Sequence, residues 1–271
     1  MSSDPAHPST PLDVSRIVLG CVALSTLPTR AAAFRLLESA VASGITHFDT
    51  ARVYGQGFSE RVLGEFLASH SSSLRVTTKL GSPDGRLATL PTRIALPLNW
   101  LRNRLRRPTA QNTPTRSLLL PPLPRITRAH VAASIEASLR CLCRSRIDVF
   151  LLHEALPCQL DHTARDLIVR LQAEGTIGAF GIGTARRTIE QYYTDDPLCT
   201  VLQYDVTPGQ PCNVLTSFAG KTHIHHSIFR PPLSAPRSET LRLALGANPS
   251  GRVVFGTRSV NHLRHNLGLN A

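Results

Sequence analysis

The chain has 271 residues, 42% of them hydrophobic, which suits one large domain or two small ones with a sizeable core. No run of about 20 apolar residues occurs, so we expect no membrane-spanning helix, and the polar, proline-bearing start MSSDPAHPSTPLD lacks the basic-then-apolar order of a secretory signal. The formal net charge of +12 is of the kind that draws nucleic acid or membrane surfaces, but it is unevenly spread.

Residues 1–15 read as a loose N-terminal tail, with one domain over 16–271. Eight short apolar runs follow in chain order: RIVLGCV (16–22), ITHFD (45–49), LRVTTK (74–79), DVFLLH (148–153), GAFGIGT (178–184), CTVLQYD (199–205), THIHHSIF (222–229) and RVVFGT (252–257). Several are β-branched and nearly continuous, as strands buried on both faces should be. Helical patterns lie between them. TRAAAFRLLESAVASG starts on a Thr29 cap and stops on Gly44, Ser59 is placed to cap ERVLGEFLASH, Thr127 caps RAHVAASIEASLRCL, and RDLIVRLQAEG stops on Gly175. Eight strand-helix alternations predict an α/β fold with a parallel sheet, and eight units are the number that closes a (β/α)8 TIM barrel. The later helices are short, which leaves an open doubly wound sheet as the alternative.

Residues 81–126, after the third strand, break the rhythm. They hold eight prolines and eight arginines against one acid, Asp84, so +7 of the charge sits in this insertion. Within it Ile94, Leu98, Leu101 and Leu105 recur at helical spacing among arginines, with Pro97 interrupting. The insertion reads first as a lid over the substrate site, then as a mobile, proline-broken excursion, then as a basic surface for nucleic acid or membrane. Trp100 alone supplies a stacking aromatic, so we do not expect a nucleic-acid partner. Six cysteines without a CxxC point to free buried thiols in a reducing cytoplasm. His223 and His225 in HxHH share a strand face without a matching third or fourth ligand, so no metal is expected. GIGT lacks the remaining glycine and the acid of a dinucleotide fingerprint.

Active sites of barrels of this kind lie at the C-terminal ends of the strands. Asp49 ends the second strand with Tyr54 in the loop after it, Lys79 ends the third and His153 the fourth. A phenol with a pKa near ~10 is a reluctant acid. A neighbouring ammonium lowers that value, and a carboxylate keeps the ammonium charged and oriented. A histidine orients a carbonyl oxygen. The set suits protonation of a carbonyl oxygen as hydride reaches its carbon.

At these residues the chain resembles the aldo-keto reductases. GITHFDTARVYGQGFSERVLGEFL is similar to the family signature, TTKLG and DVFLLH to its lysine and histidine motifs, and RVVFGTRSVNHLRHNL to the segment that holds the adenosine phosphate of NADPH. The resemblance spans most of 16–80 and 127–271 and leaves 81–126 uncovered. It implies Tyr54 as general acid/base, Lys79 paired with Asp49, and His153 orienting the substrate carbonyl. It further implies Gly20 and Cys21 near the nicotinamide ribose, Gln203 on the carboxamide and Ser227 near the pyrophosphate. Arg258, Ser259 and Asn266 fall on the adenosine phosphate and adenine.

Two departures stand out. Gly183 and Thr184 replace the Ser-Asn common at the fifth strand, leaving Thr184 one hydrogen bond to the carboxamide, and His226 takes the place of an aromatic that stacks on the nicotinamide. The implied activity is NADPH-dependent reduction of an aldehyde or ketone, or the reverse, on a small carbonyl or sugar-like substrate, with NADH left open. The alternative is a weak or inactive barrel that binds NADPH as a regulatory subunit.

Overall fold

The computed structural model describes residues 12–70, 73–81, 91–105, 125–210, 212–233 and 235–269. Eight strands close into a barrel, β1 (Ile17–Gly20), β2 (His47–Asp49), β3 (Arg75–Lys79), β4 (Ile147–His153), β5 (Ile177–Gly183), β6 (Val201–Asp205), β7 (Thr222–His226) and β8 (Arg252–Gly256), each hydrogen-bonded in parallel to its sequence neighbour and β8 to β1. The closed barrel thus replaces the open-sheet alternative. β7 ends earlier than its apolar run suggests, because Ser227 turns into the left-handed region at φ 60°.

Alternation along the strands sorts the side chains into two cores. Val18, Leu151, Val201, Ile224 and Val254 fill the barrel interior. The opposite faces carry residues such as Leu19, Phe48, Phe150, Phe180 and Leu202, which pack beneath the helices. The inward positions near the C-terminal ends of the strands form the mouth of the barrel. There the strands contribute three glycines (Gly20, Gly183, Gly256) and five polar side chains (Asp49, Lys79, His153, Gln203, His226), all facing one cavity. Apolar layers below and a polar layer above leave the chemistry a single place to collect.

Around the barrel run α1 (Arg30–Ala42), α2 (Phe58–Leu67), α3 (Thr92–Leu105), α4 (Arg128–Leu142), α5 (His162–Ala173), α6 (Arg186–Tyr192), α7 (Asn213–Ser217), α8 (Arg237–Gly246) and α9 (Val260–Asn266). Thr29 and Thr127 cap α1 and α4 as expected, accepting from the Ala32 and His130 amides. Ser59 does not cap. α2 begins two residues sooner behind a left-handed Gly57, and the Ser59 hydroxyl donates instead to the Cys21 carbonyl at 2.6 Å. α2 and α4 approach so closely that any side chain at Gly64 would run into the Cys141 carbonyl.

Within the insertion, α3 accommodates Pro97 inside the helix. It docks by a face other than the one the apolar spacing marks. Thr92, Ala95, Leu96 and Asn99 are buried, whereas Ile94, Leu98 and Leu101 face solvent. Asn99 donates to the Ser25 carbonyl and Thr92 to the Glu65 carboxylate. α3 therefore braces the short turn Cys21–Thr26 after β1 and lines none of the cavity wall; residues 82–90 and 106–124 of the expected lid lie outside the described residues. The root of the insertion is pinned. The Leu80 amide donates to the Leu151 carbonyl at 2.7 Å, the Gly81 amide to Ser134 Oγ at 3.2 Å, and Gly81 lies against Arg52.

At the N-terminus, Asp13 caps a turn over Val14–Arg16, and Leu12 and Val14 pack on the core; residues 1–11 of the expected tail lie outside the described residues. None of the six cysteines forms a disulfide. Cys21 and Cys199 are buried, but Cys143 and Cys158 are exposed, so burial does not extend to every thiol as expected. Among the described residues no helix is long and apolar enough to cross a membrane.

Gly64→Ala is expected to destabilise the fold by about 2 kcal/mol, because backbone atoms of α4 must shift to admit the methyl group. A urea midpoint equal to that of the unsubstituted protein would contradict this close approach.

Candidate active site

The loop after β2 is built to hold a phenol in place. The Thr50 amide donates to the Thr77 carbonyl at 2.8 Å, which extends the strand pairing past Asp49. The chain then turns through Gly55, Gln56 and Gly57, all at positive φ. Arg52, fully buried, pairs with Glu60 of α2, whose other oxygen accepts from Thr78 Oγ1 at 2.6 Å and Ser138 Oγ at 2.8 Å. The loop bearing Tyr54 is thereby tied to α2, β3 and α4 at once. Breaking a buried pair from one side leaves a charge uncompensated, so this network fixes Tyr54 from below.

Asp49 and Lys79 meet at 2.7 Å with side chains 5% and 3% exposed. Lys79 Nζ also donates to the Thr50 carbonyl at 3.0 Å, and the second oxygen of Asp49 accepts from Gln203 Nε2 at 2.6 Å. Lys79 Nζ lies 5.2 Å from the centre of the Tyr54 ring. The His153 ring stands perpendicular to Tyr54 with centroids 6.1 Å apart. The four residues expected to carry the chemistry thus meet in one cavity of about 580 Å³.

The electrostatics differ from the simplest reading of a lysine beside a tyrosine. Burial raises the Tyr54 phenol above its ordinary value, and Lys79 draws it back only in part. Burial works to lower Lys79, but the attraction of Asp49 and Tyr54 outweighs it and holds the ammonium above its ordinary value. Burial, with Lys79 adding to it, pushes His153 down to about 4. At neutral pH the site therefore presents a protonated phenol, an ammonium and a neutral imidazole.

Of the residues expected around the cofactor, Gly20, Gln203, His226, Ser227 and Arg258 line the same cavity. Cys21, Thr184, Ser259 and Asn266 lie outside its wall. The Cys21 thiol is fully buried, and burial pushes its pKa up, leaving an inert group. Thr184 is buried and donates to Glu154 at 2.9 Å. Ser259 caps α9, and His226 Nδ1 is 2.9 Å from Ser227 Oγ. Asn266 is 1% exposed, and its Nδ2 has no hydrogen-bond partner among the described residues. An orphaned amide of this kind calls for an acceptor, and the adenine position that the sequence suggests for Asn266 would supply one. The donor set, with Arg258 in the wall near it in sequence, fits a nicotinamide dinucleotide.

His223 and His225 face away from the cavity. Both rings meet the Tyr204 hydroxyl, at 2.9 and 3.1 Å, and His223 Nε2 reaches the Phe218 carbonyl. They form a structural network between barrel and helices. Three residues that bear on the site received no role from the motifs: Arg52 and Glu60, within the quoted signature, and Glu154, one residue past DVFLLH. The first two are charges whose burial no spacing reveals. Glu154 follows His153 at positive φ in the cavity wall.

Three histidines make stability depend on pH. Burial lowers His47, His153 and His225 to about 4, against an ordinary 6.5. Above pH 6.5 each ring is neutral in both folded and unfolded states. As pH falls from about 6.5 towards about 4 the unfolded chain takes up the protons first, so stability is lost. The thermal midpoint is expected to drop between pH 7.5 and 5, above the main carboxylate range. A flat midpoint across that window would contradict burial of neutral rings.

The family model described as "Aldo/keto reductase family" matches residues 16–206. The chain is 23% identical over 203 residues to the oxidoreductase YqkF of Bacillus subtilis, covering 74% of this chain and 55% of that protein. It is 33% identical over 159 residues to a D-threo-aldose 1-dehydrogenase of Pseudomonas sp, covering 56% of this chain and 44% of that protein. The chain thus spans about half the length of these curated relatives. The holo form of an aldo-keto reductase from Bacillus halodurans superposes with a TM-score of 0.63 at 16% identity, covering 94% of this chain and 86% of that one; this likeness concerns the fold.

Proposed function

The chain belongs to the aldo/keto reductase family, and from that premise we propose that it reduces an aldehyde or ketone to the alcohol, or runs the reverse, with NADPH as its cofactor. The observation that carries this reading is the meeting of Tyr54, Lys79, Asp49 and His153 in one cavity. A nicotinamide held there would supply the hydride for the carbonyl carbon. Tyr54 is the acid that delivers the proton to the carbonyl oxygen, and Lys79 stabilises the phenolate that remains. Asp49 keeps Lys79 charged and aimed. His153, neutral at working pH, hydrogen-bonds the carbonyl oxygen without competing as a cation.

Gly20, Gln203, His226, Ser227 and Arg258 are the residues we assign to the cofactor from within the cavity, with Cys21, Thr184, Ser259 and Asn266 behind it. Gln203 has a second duty in this reading. Its Nε2 is bound to Asp49, which leaves its oxygen to accept from a carboxamide. Arg258 favours the phosphorylated cofactor, because a guanidinium grips phosphate through paired, charge-assisted hydrogen bonds.

The decisive experiment is nucleotide oxidation across a panel of aldehydes and ketones with NADPH and NADH in parallel. Turnover supports the reductase, whereas tight NADPH binding without turnover would favour a regulatory barrel. Tyr54→Phe is expected to lower kcat about 10³-fold with NADPH binding retained; undiminished kcat would remove Tyr54 as the acid. Because burial raises the phenol, reduction should hold through neutral pH and decline only as pH climbs past the ordinary tyrosine range. Arg258→Gln is expected to raise the KM for NADPH about tenfold and leave that for NADH nearly unchanged. Equal effects on both would argue against a 2′-phosphate contact.

A further inference from the structure

Glu154 immediately follows His153 and faces the cavity that holds Tyr54. Its backbone sits in the left-handed region at φ 52°, a conformation costly for a residue with a Cβ. Three contacts keep it there. The Glu154 amide donates to the Gly183 carbonyl at 2.9 Å, the buried Thr184 hydroxyl donates to Oε2 at 2.9 Å, and the Thr184 amide is itself fixed on the Gln203 carbonyl at 3.0 Å. Glu154 is exposed at the cavity wall, and among the described residues no cation pairs with it and Thr184 is the side chain that donates to it. The other carboxylate of the wall, Asp49, has both oxygens committed to Lys79 and Gln203. Glu154 is therefore the acidic acceptor that the cavity keeps open.

The placement of charge around the barrel is equally informative. Glu154 follows β4, while Arg230 and Arg258 of the cavity wall follow β7 and β8. In a closed ring of eight strands β4 lies opposite β8. One end of the cavity is cationic and suits phosphates, and the other is acidic. Arg230 is in addition held by Asp205 at 3.5 Å. A substrate entering at Glu154 meets a carboxylate that accepts hydrogen bonds and gives a second carboxylate no cation to pair with.

We propose that Glu154 recognises hydroxyl groups carried beside the reacting carbonyl, so that the site takes neutral hydroxylated aldehydes and ketones and turns away carboxylated ones. This rests on the reductase reading and names its substrate class. The basic insertion invites the opposite expectation, an anionic substrate, but its described helix α3 contributes nothing to the cavity wall. A hydroxyl bound to a carboxylate gives a stronger hydrogen bond than one bound to a neutral acceptor.

The test compares kcat/KM for glyceraldehyde, propanal and succinic semialdehyde with NADPH, in the unsubstituted protein and in Glu154→Gln. Glu154→Asn is run alongside because asparagine tolerates left-handed backbone. The unsubstituted protein is expected to prefer glyceraldehyde over propanal by about tenfold, with succinic semialdehyde poorest. In both variants the glyceraldehyde-to-propanal ratio should fall several-fold, and succinic semialdehyde should gain relative to propanal. Ratios unchanged in either variant that still binds NADPH, or a preference for succinic semialdehyde in the unsubstituted protein, would overturn the assignment. Turnover with unchanged ratios sinks this proposal alone, whereas no turnover of any aldehyde sinks the reductase reading and this proposal with it.

Discussion

The site depends on a buried ion pair. Asp49 and Lys79 meet almost out of reach of water, where taking two charges from solvent costs several kcal/mol per ion in effective terms, about as much as their attraction returns. The balance turns on the remaining hydrogen bonds. Gln203 from β6 satisfies the second oxygen of Asp49, and the Thr50 carbonyl takes a further proton of Lys79. Three strands are thus locked at the same height. A register slip of one residue would turn Asp49 out of the cavity and present Thr50, and would replace Lys79 by Leu80. The barrel's closure and its chemistry are therefore one constraint seen at two scales.

That pair also shapes the acid. A tyrosine beside an ammonium is commonly read as a phenol made easier to ionise, yet here burial wins and the proton is held more tightly. The ammonium does not empty the phenol in advance. It lowers the cost of the phenolate at the moment of transfer. Beneath Tyr54, the Arg52–Glu60 pair with Thr78 and Ser138 holds the loop rigid, so the acid does not depend on loop closure to find its position.

Much of this architecture could be read in the sequence because it is carried by local signals. The eight apolar runs, the Thr29 and Thr127 caps, and the polar residues at strand ends each follow from periodicity or capping chemistry. Other features could not be read, for equally physical reasons. Arg52 and Glu60 are ordinary surface types until the fold removes them from water. Helix α3 carries Ile94, Leu98 and Leu101 at helical spacing, but the barrel takes another face through Ala95, Leu96 and Asn99, and periodicity cannot say which face finds a partner. Glu154 escaped because its meaning lies in a left-handed turn and in Thr184, whose side chain meets it only once β4 and β5 are aligned.

The root of the insertion has a consequence for how the barrel tolerates change. Leu80 and Gly81 follow Lys79 at this root, and both are clamped, by Leu151, by Ser134 and by the flank of Arg52. Ser134 and Arg52 line none of the cavity, yet both hold the backbone beside the ammonium, so a change at either is felt where the proton moves.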